Sequence, residues 1–518
     1  MLAIFRPGDC SLPTVIASAV AFGYALVAIF CAGLMLVGIL TTLAVVITII
    51  LVSAALWVLG IRRTSLRVWG RWATSAWREH PWELGAGAVA VLLVIVSLAH
   101  MDSLLNFGFA NPWRYWADAQ EVAAAKGLPA SSLQWGIATV PTVSKLTFNA
   151  ANAGFSLIVH PPLKTIGALM FLGLIGVLLS AFSFAWELGL PRTAPLLVLF
   201  AGASSDSGLF AHGLVFQPGR LFVAETFSRM IAFTALALGI ATVRTKRSLG
   251  LLLAAGGALG IAATVHLIPA ALAGMFLCSY AVIAALLDRS KVALLRTGVI
   301  VLTACALIFF VGLWARNRLG FQAASTGAFH KIHRFDPTLF FATGRINQPR
   351  RLLPAVRKVK NHGWYTRPSR IYESFLADSL AAHSPPSYVK LLPIVLLGFV
   401  LASIRFLPDR LRVIGTASWL VWMLIVIVAL VFARIYSTYI PAEFPERRLF
   451  PAAGLPVMLI GLTFLEWGIA ALGRASPRGP VAATLVLVLV AAVWLLPDYG
   501  PPSTRYRQDR QALAAMTW

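Results

Sequence analysis

Apolar runs of about 17–25 residues alternate along this chain with short polar blocks, and each run can cross the ~30 Å hydrocarbon core of a bilayer as a helix. About thirteen helices are predicted, near 13–38, 40–60, 84–101, 165–186, 193–204, 227–243, 249–267, 268–287, 297–315, 391–407, 413–433, 450–472 and 480–497, the fifth of them short. The charge-free stretch from Leu12 to Gly60 is about twice the ~20 residues one span needs. It therefore divides into two spans and is far too long for a cleavable leader. The expected fold class is all-α: a polytopic transmembrane helical bundle of about 13 spans with juxtamembrane helices and a small outer subdomain. No internal repeat or low-complexity tract interrupts the pattern.

The polar blocks sort by charge. Tight loops carrying Arg62, Arg63, Arg67, Arg71 and Arg78, then Arg244, Lys246 and Arg247, then Arg289, Lys291 and Arg296, then Arg405, Arg410 and Arg412, then Arg474 and Arg478 alternate on one side. The positive-inside rule names that side cytoplasmic, with the N-terminus inside and the tail from Asp498 outside. Every long segment (102 to 164, 205 to 226, 316 to 390, 434 to 449 and the tail) then falls outside. The expected organisation is residues 1–83 as an N-terminal hairpin with a basic inner loop and 84–315 as the transmembrane core with the first two outer loops. Residues 316–390 follow as a basic outer loop or small subdomain, and 391–518 as the C-terminal spans and tail.

Composition agrees with the pattern. Of 518 residues 59% are hydrophobic and 12% charged, against about 45–50% and 25% in soluble domains. The 43 Lys and Arg against 19 Asp and Glu leave a formal +24. In a soluble chain that balance suggests nucleic acid; here it points to the lipid bilayer and to phosphate ligands. Cys10, Cys31, Cys278 and Cys305 lie in or beside apolar runs with neither disulfide nor zinc spacing.

Candidate chemistry gathers on the outer side. Asp102 follows the third span directly, and a carboxylate at that lip must be solvated or paired. It could serve as a base for an acceptor hydroxyl or merely cap the interface. Asn111-Pro112, with Trp113, Trp116 and Gln120 at helical spacing and a stop at Lys126-Gly127, predicts a juxtamembrane helix. Arg114 and Asp118 stand four apart on it, and Asp118 and Glu121 are either site residues or a solvated face. The second outer loop carries Asp206, His212, Arg220, Glu225 and Arg229, followed by His266 at the end of the seventh span. Glu225 and Arg229 suit a structural i,i+4 pair as well as a ligand site.

The large loop holds thirteen Lys and Arg, from Arg316 to Lys390, against Asp336, Glu373 and Asp378. Arginines there, Arg334 and Arg345 among them, can bind phosphate and stabilise a leaving group, or contact anionic headgroups. His330 and His333 could hold a divalent metal with Asp336, but further ligands are lacking, so no metal residue is assigned. Glu446, Arg447 and Arg448 adjoin the twelfth span and could help close a headgroup site, while Glu187 and Glu466 near the inner ends are expected to be structural.

An acidic residue directly after an early span (Ala99-His100-Met101-Asp102), the aromatic helix from Trp113 to Glu121, and the outer loops around Asp206 and Arg334 resemble the GT-C superfamily of integral-membrane glycosyltransferases. The likeness is architectural and covers the chain from about residue 84. It implies transfer of a sugar from a polyprenyl-phosphate donor to a glycan or glycolipid acceptor in cell-envelope glycan biosynthesis, at the outer face of a bacterial-type inner membrane. Asp102 matches the family's first-loop acid by position, with no Asp-Asp or Asp-x-Asp beside it, which leaves metal dependence open. Arg220, Arg334 or Arg345 would take the donor phosphate. A lipid-linked glycan ligase or polymerase, or a polytopic transporter or flippase, are the alternatives; the scarcity of charge at mid-span disfavours the transporter.

Overall fold

The computed structural model describes residues 8–63, 66–100, 119–127, 146–159, 162–202, 224–244, 249–288, 291–325, 392–439, 454–476 and 478–495. Among them every regular element is an α-helix: α1 (Leu12–Val37), α2 (Thr42–Arg63), α3 (Leu66–Glu79), α4 (Pro81–His100), α5 (Leu146–Ile158), α6 (Pro162–Leu188), α7 (Ala194–Gly202), α8 (Ala224–Arg244), α9 (Leu249–Val265), α10 (Leu267–Asp288), α11 (Val292–Ser325), α12 (Leu392–Phe406), α13 (Asp409–Tyr439), α14 (Gly454–Ala475) and α15 (Gly479–Leu495). A short helical segment at 119–125 precedes α5.

Helices occupy all thirteen predicted positions, but among the described residues eight are long and apolar enough to cross a bilayer alone, or nine if the bent α3–α4 pair counts as one span. The difference has physical causes. α9, α12 and α15 are shorter apolar helices, and α7 has nine residues, enough for only ~13 Å. Two helices were not predicted as spans and are not: α3, and α5, which lies within what the hydropathy pattern treats as the first outer loop.

The first long apolar stretch divides where backbone chemistry requires it. Ser11 caps the start of α1, Pro13 follows in its first turn, and Gly38 closes it in the left-handed conformation at φ 82. The Gly38 and Ile39 amides return to Met35 and Leu34 carbonyls, which satisfies groups that would otherwise be orphaned. At the centre lies α8, almost wholly buried among α6, α9, α10 and α1. Small residues bring these backbones close: Gly176 of α6 sits against Met230, and Gly256 and Gly260 of α9 lie against Thr303 and Ala304 of α11. The lipid-facing rim is supplied by α2, α11 and α15, with Ile50, Leu51, Leu302, Phe310, Leu489 and Val493 exposed.

One end of the bundle, here the basic end, is stitched by two buried carboxylates. Glu187, in the last turn of α6, accepts from the Ser11 amide and the Thr14 hydroxyl at 2.8 Å each. Glu466 of α14 accepts from the amides of Arg192 and Thr193 (3.1 and 3.0 Å), from the Thr193 hydroxyl at 3.1 Å and from the Arg192 guanidinium at 3.3 Å. The first residues of α1 and α7 thus receive acceptors from distant helices. Between them the α6–α7 turn passes through Gly189 at φ 92. There the Arg410 guanidinium donates to the Leu188 carbonyl at 3.1 Å and fills the space a Gly189 side chain would need. Glu187 and Glu466, expected from the sequence to be structural, each bind the start of a distant helix in this way.

Removing Glu466 leaves Arg192 and two helix-start amides without their acceptor. Glu466→Ala is expected to lower stability by about 3–5 kcal/mol, read as a large fall in thermal midpoint of the detergent-solubilised protein. Asp409→Ala, which breaks an exposed pair with Arg412, should cost under about 1 kcal/mol.

Candidate functional site

Side-chain contacts fix the relative heights of the helices. From the basic end upward, Thr14 of α1 meets Ser183 of α6 at 3.0 Å, and Val20 borders Gly176. Tyr24 then stacks on Phe227 of α8 at 4.4 Å, and the Phe227 ring borders Gly173 of α6. Tyr24, Gly173 and Phe227 are therefore level. Beyond that level α1 continues ~20 Å to Val37, and α6 extends ~16 Å back to Pro162, whereas α8 extends only ~5 Å to Ala224. α9 ends at the same height, because the Ser228 hydroxyl is shared between the carbonyls of Ala262 and His266 at 2.9 and 2.8 Å. The first described residue of α8 and the start of α10 thus lie roughly 12–15 Å below the distal ends of α1 and α6.

α5 bridges this difference in height. At its lower end Thr147 meets Thr264 at 3.2 Å and Phe148 borders Phe227 at 5.7 Å. At its upper end Gly154 packs on Cys31 and Val45, and the Leu157 carbonyl accepts from Thr42 at 3.3 Å. The 119–125 segment docks beside it: Ala119 and Val122 are buried with Cys31 and Met35. The Leu40 amide donates to the Lys126 carbonyl at 2.9 Å.

The recessed level where these elements meet is a polar floor in an apolar bundle. Glu225, in the first turn of α8, holds a carboxylate oxygen 3.3 Å from Nε2 of His266, a nearly buried ring at the α9–α10 junction. Beside them Phe148, Asn152 and Phe155 recur on one face of α5. Tyr24 lies between the rings of Phe227 and Phe155, at 4.4 and 6.3 Å. The Asn152 carboxamide, Asn149 Oδ1 and the Tyr24 hydroxyl are buried with no hydrogen-bond partner among the described residues. Each such group costs about 1–3 kcal/mol. Carboxamides and a phenol among aromatic rings can bind hydroxyl groups, and a carboxylate on an imidazole can hold or move a proton.

Of the outer-side candidates singled out from the sequence, Glu121, Glu225, Arg229 and His266 fall on described residues. His266 lies in this floor, joined to Glu225 rather than standing alone, and Glu121 is half-buried in the 119–125 segment. Asp102, Asp118, Asp206, His212, Arg220, His330, His333, Arg334, Arg345, Glu446 and Arg447 lie outside the described residues. No group of three metal-ligating side chains occurs among the described residues. Sequence reading missed Tyr24, Asn149 and Asn152. The signal available was the 13-residue stretch Leu146–Ile158, apolar but with two asparagines one turn apart among small residues.

No family model matches this sequence, and no curated protein matches it. Two solved structures resemble the fold, both of an oligosaccharyltransferase from the archaeon Archaeoglobus fulgidus. The crystal structure of the apo form aligns at TM-score 0.40 with 14% identity, and AglB in complex with an inhibitory peptide and a dolichol-phosphate aligns at 0.37 with 14% identity. In each case 83% of this chain and 57% of the other are covered, so the chain spans little more than half the length of those proteins. The functional reading rests on the chain's own residues.

Asn152→Leu replaces an unpartnered carboxamide by an apolar group of similar size. It is expected to leave the thermal midpoint unchanged or to raise it by the equivalent of up to about 1–3 kcal/mol, whereas Phe227→Ala should cost about 3–5 kcal/mol. A clear loss of stability in Asn152→Leu would mean that the carboxamide is satisfied within the fold.

Proposed function

We propose that this chain is a membrane glycosyltransferase that moves a sugar from a polyprenyl-phosphate donor to a cell-envelope glycan or glycolipid acceptor. The observation that carries the reading is the polar floor recessed in the distal half of an otherwise apolar bundle. It adjoins the start of α8, which follows the sequence segment carrying Asp206, His212 and Arg220. A lipid-linked sugar needs a site at bilayer depth, neutral polar groups and aromatic faces for its ring, cations for its phosphate and a carboxylate for the acceptor hydroxyl.

In this reading Asp102 removes the proton of the acceptor hydroxyl as its oxygen attacks the anomeric carbon. The bond from that carbon to the phosphate oxygen breaks, and Arg220, Arg334 or Arg345 stabilises the departing lipid phosphate. Tyr24, Asn149 and Asn152 bind the sugar from below, and the Glu225–His266 pair orients it or relays a proton. Asp118, Glu121, Asp206, His212, His330, His333, Glu446 and Arg447 are supporting or substrate-binding positions, and a divalent metal is compatible with the outer acids and histidines. The membrane is a bacterial-type inner membrane, with the N-terminus cytoplasmic and the distal end periplasmic.

One observation favours a second reading. α9 breaks from α10 at His266, three residues before Pro269; discontinuous helices of this kind line the midplane sites of transporters. A flippase for a lipid-linked glycan would use the same floor.

Reconstituted protein supplied with a polyprenyl-monophosphate sugar and a glycan acceptor separates the two. Asp102→Asn, expressed at wild-type level, is expected to lose about 10²-fold or more of transfer. Near-normal turnover would remove Asp102 as base, and lipid translocation without a transfer product would establish the flippase. In a variant lacking its native cysteines, Ile39→Cys should react with an impermeant maleimide from the periplasmic side, and Ser476→Cys only after the membrane is opened. The reverse pattern would overturn the orientation.

A further inference from the structure

At the basic end α3 offers a polar surface of a different character from the floor. It meets α4 at 92°, the two breaking at His80. Because α4 runs through the bilayer, α3 lies close to the membrane plane. Its apolar residues Trp69, Trp72, Ala73 and Ala76 recur at helical spacing and are half-buried, with Trp69 packed on the core and edge-on to Trp72 at 5.3 Å. The corner is held by His80 edge-on to Trp186 of α6, also at 5.3 Å.

The opposite face is a stripe of exposed arginines. Arg67, Arg71 and Arg78 fall within about 40° of arc at 100° per residue, roughly 170° from the tryptophan face. The one carboxylate on the helix, Glu79, accepts from Ser75 at 2.9 Å. Val68 and Trp77 are exposed on the flanks between the two faces, and Trp82 is exposed just beyond the corner. Cations on one face, aromatic residues on the other and exposed apolar flanks define a helix that lies in the headgroup layer.

We propose that α3 is a docking surface for anionic phospholipid headgroups in the leaflet at the basic end. The three guanidinium groups bind phosphodiesters, and the flanking Val68, Trp77 and Trp82 seat the helix at headgroup depth. Charge complementarity selects the occupant: the stripe carries three cations and no free acid, and each cation near an anionic surface contributes roughly a fivefold preference. A soluble polyanion would meet the arginines but would leave the exposed apolar flanks in water.

The test uses the full-length protein in nanodiscs of phosphatidylcholine with or without phosphatidylglycerol, reading the thermal midpoint and the number of phosphatidylglycerol molecules retained on release. Phosphatidylglycerol should raise the midpoint and be retained above its bulk ratio. The triple variant Arg67→Gln, Arg71→Gln, Arg78→Gln should lose both effects, with retention falling about tenfold or more. Removing the same charge from other basic-end positions, in Lys291→Gln, Arg405→Gln, Arg474→Gln, should leave most of the response in place. Equal loss in both triple variants would reduce the effect to net charge and overturn the proposal, as would an unchanged response in the α3 variant. Saturable stabilisation by inorganic tripolyphosphate in pure phosphatidylcholine, with no response to phosphatidylglycerol, would replace the lipid by a soluble ligand and also overturn it.

Discussion

Hydrocarbon offers no hydrogen bonds, so every peptide group at bilayer depth must find its partner within the protein. In this bundle that requirement is most demanding where helices begin, because the first amides of a helix have no intrahelical acceptor. Glu187 and Glu466 answer it from outside the helices they serve, one tying α6 to the start of α1 and the other tying α14 to the start of α7. The second tie also joins the C-terminal helices to the first half of the chain, with Arg410 of α13 reinforcing it at the Leu188 carbonyl. Packing of small residues then completes the interface, since helices in lipid gain little from burial and depend on close contact.

How much of this was legible in the sequence varied with the kind of signal. Helix positions were readable because twenty apolar residues in a row have few alternatives, and the break at Gly38 follows from the need for a left-handed closing residue. Helix height was not. α8 reads as an ordinary span, yet the contacts of Phe227 with Tyr24 and Gly173 set its first described residue, Ala224, well below the ends of α1 and α6. Hydropathy reports how apolar a segment is, not the depth at which tertiary packing holds it. α5 was lost for a related reason: at 13 residues it is too short to register as a span, and Asn149 and Asn152 dilute its apolar character. For the candidate site, His266 was found because a histidine at a span end is conspicuous, whereas its partner Glu225 looked equally suited to Arg229 at i,i+4. Only the three-dimensional meeting of α8 with the α9–α10 junction brings Glu225 to His266.

The floor and the basic end use polar groups in opposite ways. At the basic end each buried carboxylate gathers several donors, and stability follows. At the floor, the Asn152 carboxamide, Asn149 Oδ1 and the Tyr24 hydroxyl are enclosed without a partner among the described residues, an arrangement that reduces stability and persists in proteins where a function depends on it. Aromatic rings on either side of Tyr24 keep the level dry enough for such groups to bind strongly when a polar ligand reaches them.

The α1–α2 turn has a role its sequence does not advertise. Within residues 38–42 the chain grips the Lys126 carbonyl through Leu40 and the Leu157 carbonyl through Thr42. The N-terminal hairpin, which the sequence presents as an addition to the core, therefore works as a clasp. By gripping the 119–127 segment and the end of α5 from one short turn, it fixes the separation of two pieces of chain that are distant in sequence, so that the hairpin and not a ligand sets where they stand.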